Sequence, residues 1–327
     1  MSRDNRILVV VDPTSAVQPA IERGFALARQ LACPLELLIC HYDSRFSGKR
    51  LFAGQERAQL RENDLQHQLG YLRSIAAEHA EQADVVAVRA VWDTPLAEGI
   101  IRECLRCEPA MVLKDTHHHN ALSRTLFTNT DWQLIRDCPV PLWLVKGGAM
   151  PSQKIMAAVD PLNENDKPAS LDKEILAQAA ALVTAMSGEL HIYHAYDAMP
   201  AIAKAGALAM SPTPVPVAEL NAKVKHEHAA AFDELIAGLD LPPGQQHLMA
   251  GSVVDTLPAL SRQLQAGLVV LGSLARSRLK QAVVGSTAER ILEHMACDLL
   301  IVKPPGFRSE VTYRAQASDF QSISDST

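Results

Sequence analysis

No apolar run in this chain approaches the roughly 20 residues that a bilayer-crossing helix needs. The opening stretch Ile7-Leu8-Val9-Val10-Val11 is too short for a secretory signal core. A membrane association is therefore not expected, and a cytoplasmic location is. Charge is modest: 21% of the 327 residues are charged against 48% hydrophobic, so disorder through excess charge is excluded. The net charge of -6 offers no general attraction to nucleic acid or an anionic membrane. Cysteines are few and scattered, at 33, 40, 104, 107, 138 and 297, which fits reduced core thiols and not a disulfide framework. A nucleophile elbow, an H-E-x-x-H and a Walker loop are all missing, and no catalytic residue is nominated.

What the chain does have is one pattern written twice. Ile7-Leu8-Val9-Val10-Val11-Asp12-Pro13 is echoed by Ile155-Met156-Ala157-Ala158-Val159-Asp160-Pro161. Glu36 to Tyr42 matches Glu189 to Ala195, Val91-Trp92-Asp93-Thr94 matches Val253-Val254-Asp255-Thr256, and Leu142 to Lys146 matches Leu299 to Lys303. Similar spacing between the matches signals a duplicated domain. Continuous apolar runs predict strands covered on both faces, at 6–11, 34–41, 84–91, 109–114 and 141–146. The second copy repeats them at 154–159, 188–194, 246–251, 267–272 and 298–303. Helices are expected near 16–32, 53–83, 95–106 and 130–138, then near 169–187, 214–239, 256–265 and 286–296. Alternating strands and helices make an α/β fold of two tandem, doubly wound parallel-sheet domains. The domains are expected at 1–147 and 153–306, joined by the Gly147-to-Ser152 linker and followed by a flexible tail, 307–327. The closing strands, 142–146 and 299–303, are apolar edges able to pair across the domains.

Ligands of open parallel sheets sit at the carboxyl ends of the strands, at a topological switch point. There the second copy reads Leu271-Gly272, then Ser273 to Val284, then Gly285-Ser286-Thr287-Ala288-Glu289. Ser286 with Glu289 predicts a capping box, and the free amides of a helix start favour an anion. Arg276, Arg278 and Lys280 add positive charge. The stretch resembles the universal stress protein family, in its tandem-domain form, whose ATP-binding members carry Gly-x2-Gly-x9-Gly-Ser/Thr. Gly272, Ala275, Gly285 and Ser286 keep that spacing with alanine at the second glycine. The resemblance covers nearly the whole chain, twice, and implies the adenine nucleotide alpha-hydrolase-like fold.

By that resemblance Asp160 is the adenine- and ribose-side aspartate and Ala195 the small residue against adenine. Leu271, Gly272, Ala275, Arg276, Gly285, Ser286 and Thr287 complete the implied nucleotide site. The ligand would be ATP or AMP, with Mg as the accompanying ion. The methyl of Ala275 either crowds a phosphate or is harmless, depending on its backbone region. In the first copy Lys114-Asp115 and Thr128-Asn129-Thr130 replace the glycines, and Asp115 is expected to repel a triphosphate. That copy reads as a degenerate docking or dimerising half. The partners expected are a small-molecule nucleotide and the other half of the chain as an intramolecular pseudo-dimer, with a homodimer left open. A non-nucleotide scaffold, holding a metal or an apolar ligand in the first copy, is the competing reading.

Other motifs carry blander meanings. His117, His118 and His119 are zinc candidates, but tetrahedral zinc wants four ligands and the rest are unidentified, so a solvated loop is preferred. Cys104-x-x-Cys107 closes a helix instead of opening one, which removes the usual thiol activation. His226-Glu227-His228 reads as a solvated helix face. Asp93-Thr94 and Asp255-Thr256 read as helix N-caps.

Overall fold

The computed structural model describes residues 5–44, 54–116, 127–147, 152–162, 170–200, 202–203, 216–273 and 286–313. The first half runs β1 (Ile7–Val10), α1 (Pro19–Leu31), β2 (Leu35–His41), α2 (Gly54–Glu78), β3 (Val85–Trp92), α3 (Leu96–Cys107), β4 (Met111–Asp115), α4 (Asn129–Asp137) and β5 (Leu142–Val145). The second runs β6 (Lys154–Ala158), α5 (Ser170–Met186), β7 (Glu189–Tyr196), α6 (Val217–Ile236), β8 (Gln246–Ala250), α7 (Val253–Leu264), β9 (Leu268–Gly272), α8 (Ser286–His294) and β10 (Asp298–Val302). These are the strands and helices that the apolar runs predict.

All ten strands form one sheet, ordered β3-β2-β1-β4-β5-β10-β9-β6-β7-β8. Within each half the pairing is parallel, and the chain reverses its direction of travel between β1 and β4, and between β6 and β9. Those two places are the switch points. Strands such as Ile7–Val10 are apolar throughout because helices cover both faces. Helices α1, α2, α5 and α6 pack on one face, and α3, α4, α7 and α8 on the other.

The halves meet through β5 and β10, which pair antiparallel with Leu144 opposite Leu299, Trp143 opposite Leu300 and Leu142 opposite Ile301. The expected pairing of the closing strands is thus present. An antiparallel junction between two equivalent edges generates an approximate two-fold axis, the intramolecular counterpart of an isologous dimer. Beyond β10 the chain stays against the protein as far as it is described: Val311 packs on the second-face core and Lys303 Nζ lies 4.7 Å from the Phe307 ring centroid.

Strand register corrects the alignment of the two copies. Val10 pairs with Leu38, and Ala158 with Tyr193. With Val10 equivalent to Ala158, Leu38 corresponds to Tyr193 and Cys40 to Ala195, a shift of two residues from the Glu36–Glu189 match. Letter matching misses this because a two-residue slip keeps every side chain on its own face. The match of Val91–Thr94 to Val253–Thr256 also fails, since Val91 lies within β3 while Val253 starts α7. Neither aspartate-threonine pair caps a helix. Pro95 precedes α3 and Ser252 caps α7 through the Val254 amide. Asp93 instead accepts from Arg102, and Thr256 Oγ1 lies 2.6 Å from the Tyr193 hydroxyl.

Candidate functional site

The second-half switch point places small and apolar side chains on successive strands. Ala158 ends β6 opposite Leu271 of β9, and Ala195 of β7 lies opposite Met249 of β8. These four, with Val253 at the start of α7, are half-buried and pack on the second-face core while remaining open on the other side. Beneath them Tyr193 is buried, its hydroxyl bonded to Thr256 and pushed up to about 12 by burial. Asp160 follows β6, half-buried, and its amide donates to Asp172 Oδ1 at 3.1 Å in the first turn of α5. An apolar floor with a carboxylate at its edge, at the carboxyl ends of parallel strands, suits a flat heterocycle bearing a polar substituent.

Gly272 owes its lack of a side chain to packing. A Cβ there would lie 2.6 Å from Leu171 Cδ2 and 2.9 Å from its Cγ. Of the other implied residues, Ala275, Arg276 and Gly285 lie outside the described residues, as do the side chains of Ser286 and Thr287, which open α8. Asp160, Ala195, Leu271 and Gly272 are brought to one end of the sheet. Ala158, Met249 and Val253 join them and were not singled out from the sequence. The signal was their parity: Ala158 and Leu271 alternate with residues buried on the opposite face.

The first half closes the same place. Register makes Val10, Cys40, Val91 and Lys114 the equivalents of Ala158, Ala195, Met249 and Leu271, and all four are buried. Lys114 Nζ donates to Asp131 Oδ1 at 2.8 Å and to the Asp115 carbonyl at 2.9 Å. Asp131, with no exposed surface, forms a capping box with Thr128 at the start of α4. A helix start that would attract an external anion therefore holds a carboxylate of its own. Counting from the helix starts Asn129 and Ser286, the residue at the position of Asp131 is Ala288. Asp115, expected to repel a triphosphate, is buried and turned to α1, where Oδ1 accepts the Ala20 amide at 2.8 Å. Burial holds its carboxyl up to about 7.

His117, His118 and His119 lie outside the described residues. Among the described residues no group of three or more His, Cys, Asp or Glu is placed to hold a metal ion. Cys104 and Cys107 are buried in the core on the α3 face, and burial pushes Cys107 up to about 12. His226 and Glu227 are exposed as the solvated-face reading expects, but His228 is not: it is buried, stacked on His194 at 5.0 Å, with its Nδ1 2.7 Å from His194 Nε2. His194 Nδ1 lies 3.1 Å from the Val159 carbonyl, so that nitrogen carries a proton and donates there. The signal was the i, i+4, i+8 stripe of His228, Phe232 and Ile236.

Two parallel α/β units joined into one sheet, each with its own switch point, define a tandem protein of the doubly wound α/β class. The universal stress protein family matches residues 5–146 and 151–303, and the chain belongs to that family. It is 28% identical over 313 residues to universal stress protein E of Salmonella typhi, covering 95% of this chain and 98% of that one. It is 27% identical over 321 residues to universal stress protein E of Escherichia coli K12, covering 98% and 100%. In fold it is similar to the crystal structure of a protein of Pseudomonas aeruginosa PAO1, at TM-score 0.70, 24% identity and 92% of both chains. A universal stress protein of Archaeoglobus fulgidus is also similar, at TM-score 0.60 and 15% identity, over 93% of this chain and 100% of that one. Among the described residues no helix is long and apolar enough to cross a membrane.

Proposed function

We propose that this tandem universal stress protein is a cytoplasmic stress-response module that binds an adenine nucleotide in its second half. The first half would serve as a closed docking half. The observation that carries the reading is the contrast between equivalent positions. Ala158, Ala195, Met249 and Leu271 are half-buried, whereas Val10, Cys40, Val91 and Lys114 are buried. Two copies of one fold otherwise alike differ where a ligand would sit.

The adenine would lie against Ala158, Ala195 and Met249, with the ribose beside Asp160. The phosphates would point toward the start of α8, where no acidic residue stands at the place of Asp131. Mg would reach the site on the phosphates, as it usually does, keeping part of its water shell. Binding by an open crevice shifts the population of loop conformations, and a partner reads the change. Mass spectrometry of the supernatant from denatured protein tests for a copurifying nucleotide, and calorimetry with ATP and Mg measures the binding. Ala195→Phe fills the crevice floor and should abolish the calorimetric signal while leaving the urea midpoint near that of the wild type. No nucleotide and no heat at millimolar ATP would favour the non-nucleotide scaffold.

A further inference from the structure

The seam between the halves is two-fold in its main features and one-sided around the Asp298 carboxylate and at Ser273, whose hydroxyl donates to the Ile135 carbonyl at 3.0 Å. Lys146 Nζ donates to the carbonyls of Leu292 and Met295, at 2.6 and 2.7 Å, at the end of α8. Lys303, its equivalent, donates to Ile135 and Arg136, at 2.6 and 2.7 Å, at the end of α4. Arg23 breaks the symmetry. Its Nη1 donates to Asp298 Oδ2 at 2.7 Å across the seam. Trp143 Nε1 donates to the same oxygen at 2.9 Å, and the Lys146 amide to Oδ1 at 3.0 Å. Arg23 and Asp298 are each 3% exposed.

The symmetry-related place holds nothing comparable. The closing-strand register makes Pro141 the equivalent of Asp298, and Leu300 the equivalent of Trp143. The ends of α1 and α5, where Cys33 N–H meets Ala28 O and Gly188 N–H meets Val183 O, make Gln178 the equivalent of Arg23. Gln178 bonds Glu174 on its own helix at 2.9 Å.

We propose that the Arg23–Asp298 contact selects the partner of each half, so that a first half pairs with a second half and not with a copy of itself. Two second halves joined through β10 would keep strand pairing and lysine-to-carbonyl contacts. They would also bury two Asp298 carboxylates facing Gln178 and Leu300, without Arg23 or Trp143. A buried charge stripped of its partner is strongly unfavourable, whereas a pair replaced on both sides by apolar groups is often tolerated. Two first halves would set Arg23 against Pro141 in place of the Asp298 carboxylate. The pair thus acts by penalising the wrong partner, while the symmetric contacts supply the cohesion common to every pairing.

The test uses the full chain with a protease site in the linker, cut in the folded state so that tethering no longer dictates the partner. Labelled and unlabelled nicked proteins are mixed, cycled through urea and back, and read by native mass spectrometry, which separates the halves by mass. Mixed-label first-plus-second pairs show that exchange has occurred. Wild-type protein should then give first-plus-second pairs alone. Arg23→Met/Asp298→Leu should let like halves pair, toward the roughly one-half share that indifferent pairing produces. Asp298→Asn, which keeps an acceptor for the Lys146 amide, should give an intermediate share and decides the matter if the double variant does not refold. Like-half pairs from wild-type protein in that same share, or variants as faithful as the wild type, would overturn the proposal.

Discussion

Lys146 and Lys303 occupy equivalent ends of β5 and β10, and each places its ammonium on the last helix of the opposite half. Each also lies over an aromatic ring, Phe127 at 5.1 Å and Phe307 at 4.7 Å. The positive ends meet the partially negative carboxyl ends of α8 and α4, where unpaired carbonyls need donors. The union of the halves is therefore reciprocal as well as apolar.

Burial lowers both lysines to about 8 from the ordinary 10.5. Between those values the unfolded chain binds more protons than the folded one, so stability must rise with pH across that window. Below about 8 both lysines are charged in both states and the burial cost is fully present. Urea midpoints measured from pH 7.5 to 10.5 should rise by an amount equivalent to about 4–7 kcal/mol from these two groups. The same series on Lys146→Met/Lys303→Met should be flatter, and an equal slope would refute the assignment.

Asp115 has the opposite linkage. Its folded carboxyl titrates at about 7, above the ordinary 3.8, because burial disfavours its charged form. Folded protein then holds a proton that the unfolded chain has lost, and stability falls as pH rises from about 4 to about 7. Asp115→Asn keeps an acceptor for the Ala20 amide and removes that fall. The variant should gain about 3–5 kcal/mol at pH 8 and match the wild type near pH 4, by denaturation at both values.

Lys114 and Asp131 form a buried pair that plugs the first-half crevice. Asp131→Ala should cost about 3–5 kcal/mol, since it strands Lys114 and removes the α4 cap. Lys114→Leu/Asp131→Ala reproduces the residues of the second half, Leu271 and Ala288, and should cost less than the sum of the two single changes. Additive costs in the double-mutant cycle would show that the pair is not coupled.

Gly272→Ala should destabilise by about 1–3 kcal/mol, because the added methyl meets the fully buried Leu171. A second change, Leu171→Ala, should recover part of the cost of the first by giving the methyl room. A ligand-only role for this glycine predicts an unchanged urea midpoint for the single variant.

Much of this was legible in the chain. Strand positions, both helix layers and the duplication follow from apolar runs and helix-period stretches, which depend on neighbours along the chain. The placement of Asp160, Leu271 and Gly272 at the carboxyl ends of strands was legible for the same reason: each closes a recognisable apolar run. The equivalence of Ala195 with Cys40 was not, because a parallel partner arrives from a distant segment and its register leaves no local mark. Nor was the buried fate of His228, whose polar neighbours Glu227 and His226 hide a stripe defined by positions four apart.

The sequence alone determined two α/β units and where the strands of each half end. Periodicity and turn chemistry act over a few residues and can be read without coordinates. Only the tertiary structure decided that Ala158, Ala195, Met249 and Leu271 are half-buried while Val10, Cys40, Val91 and Lys114 are buried, and that Arg23 meets Asp298 from 275 residues away. Those outcomes depend on which side chains share one small volume, and burial and charge pairing in three dimensions settle that.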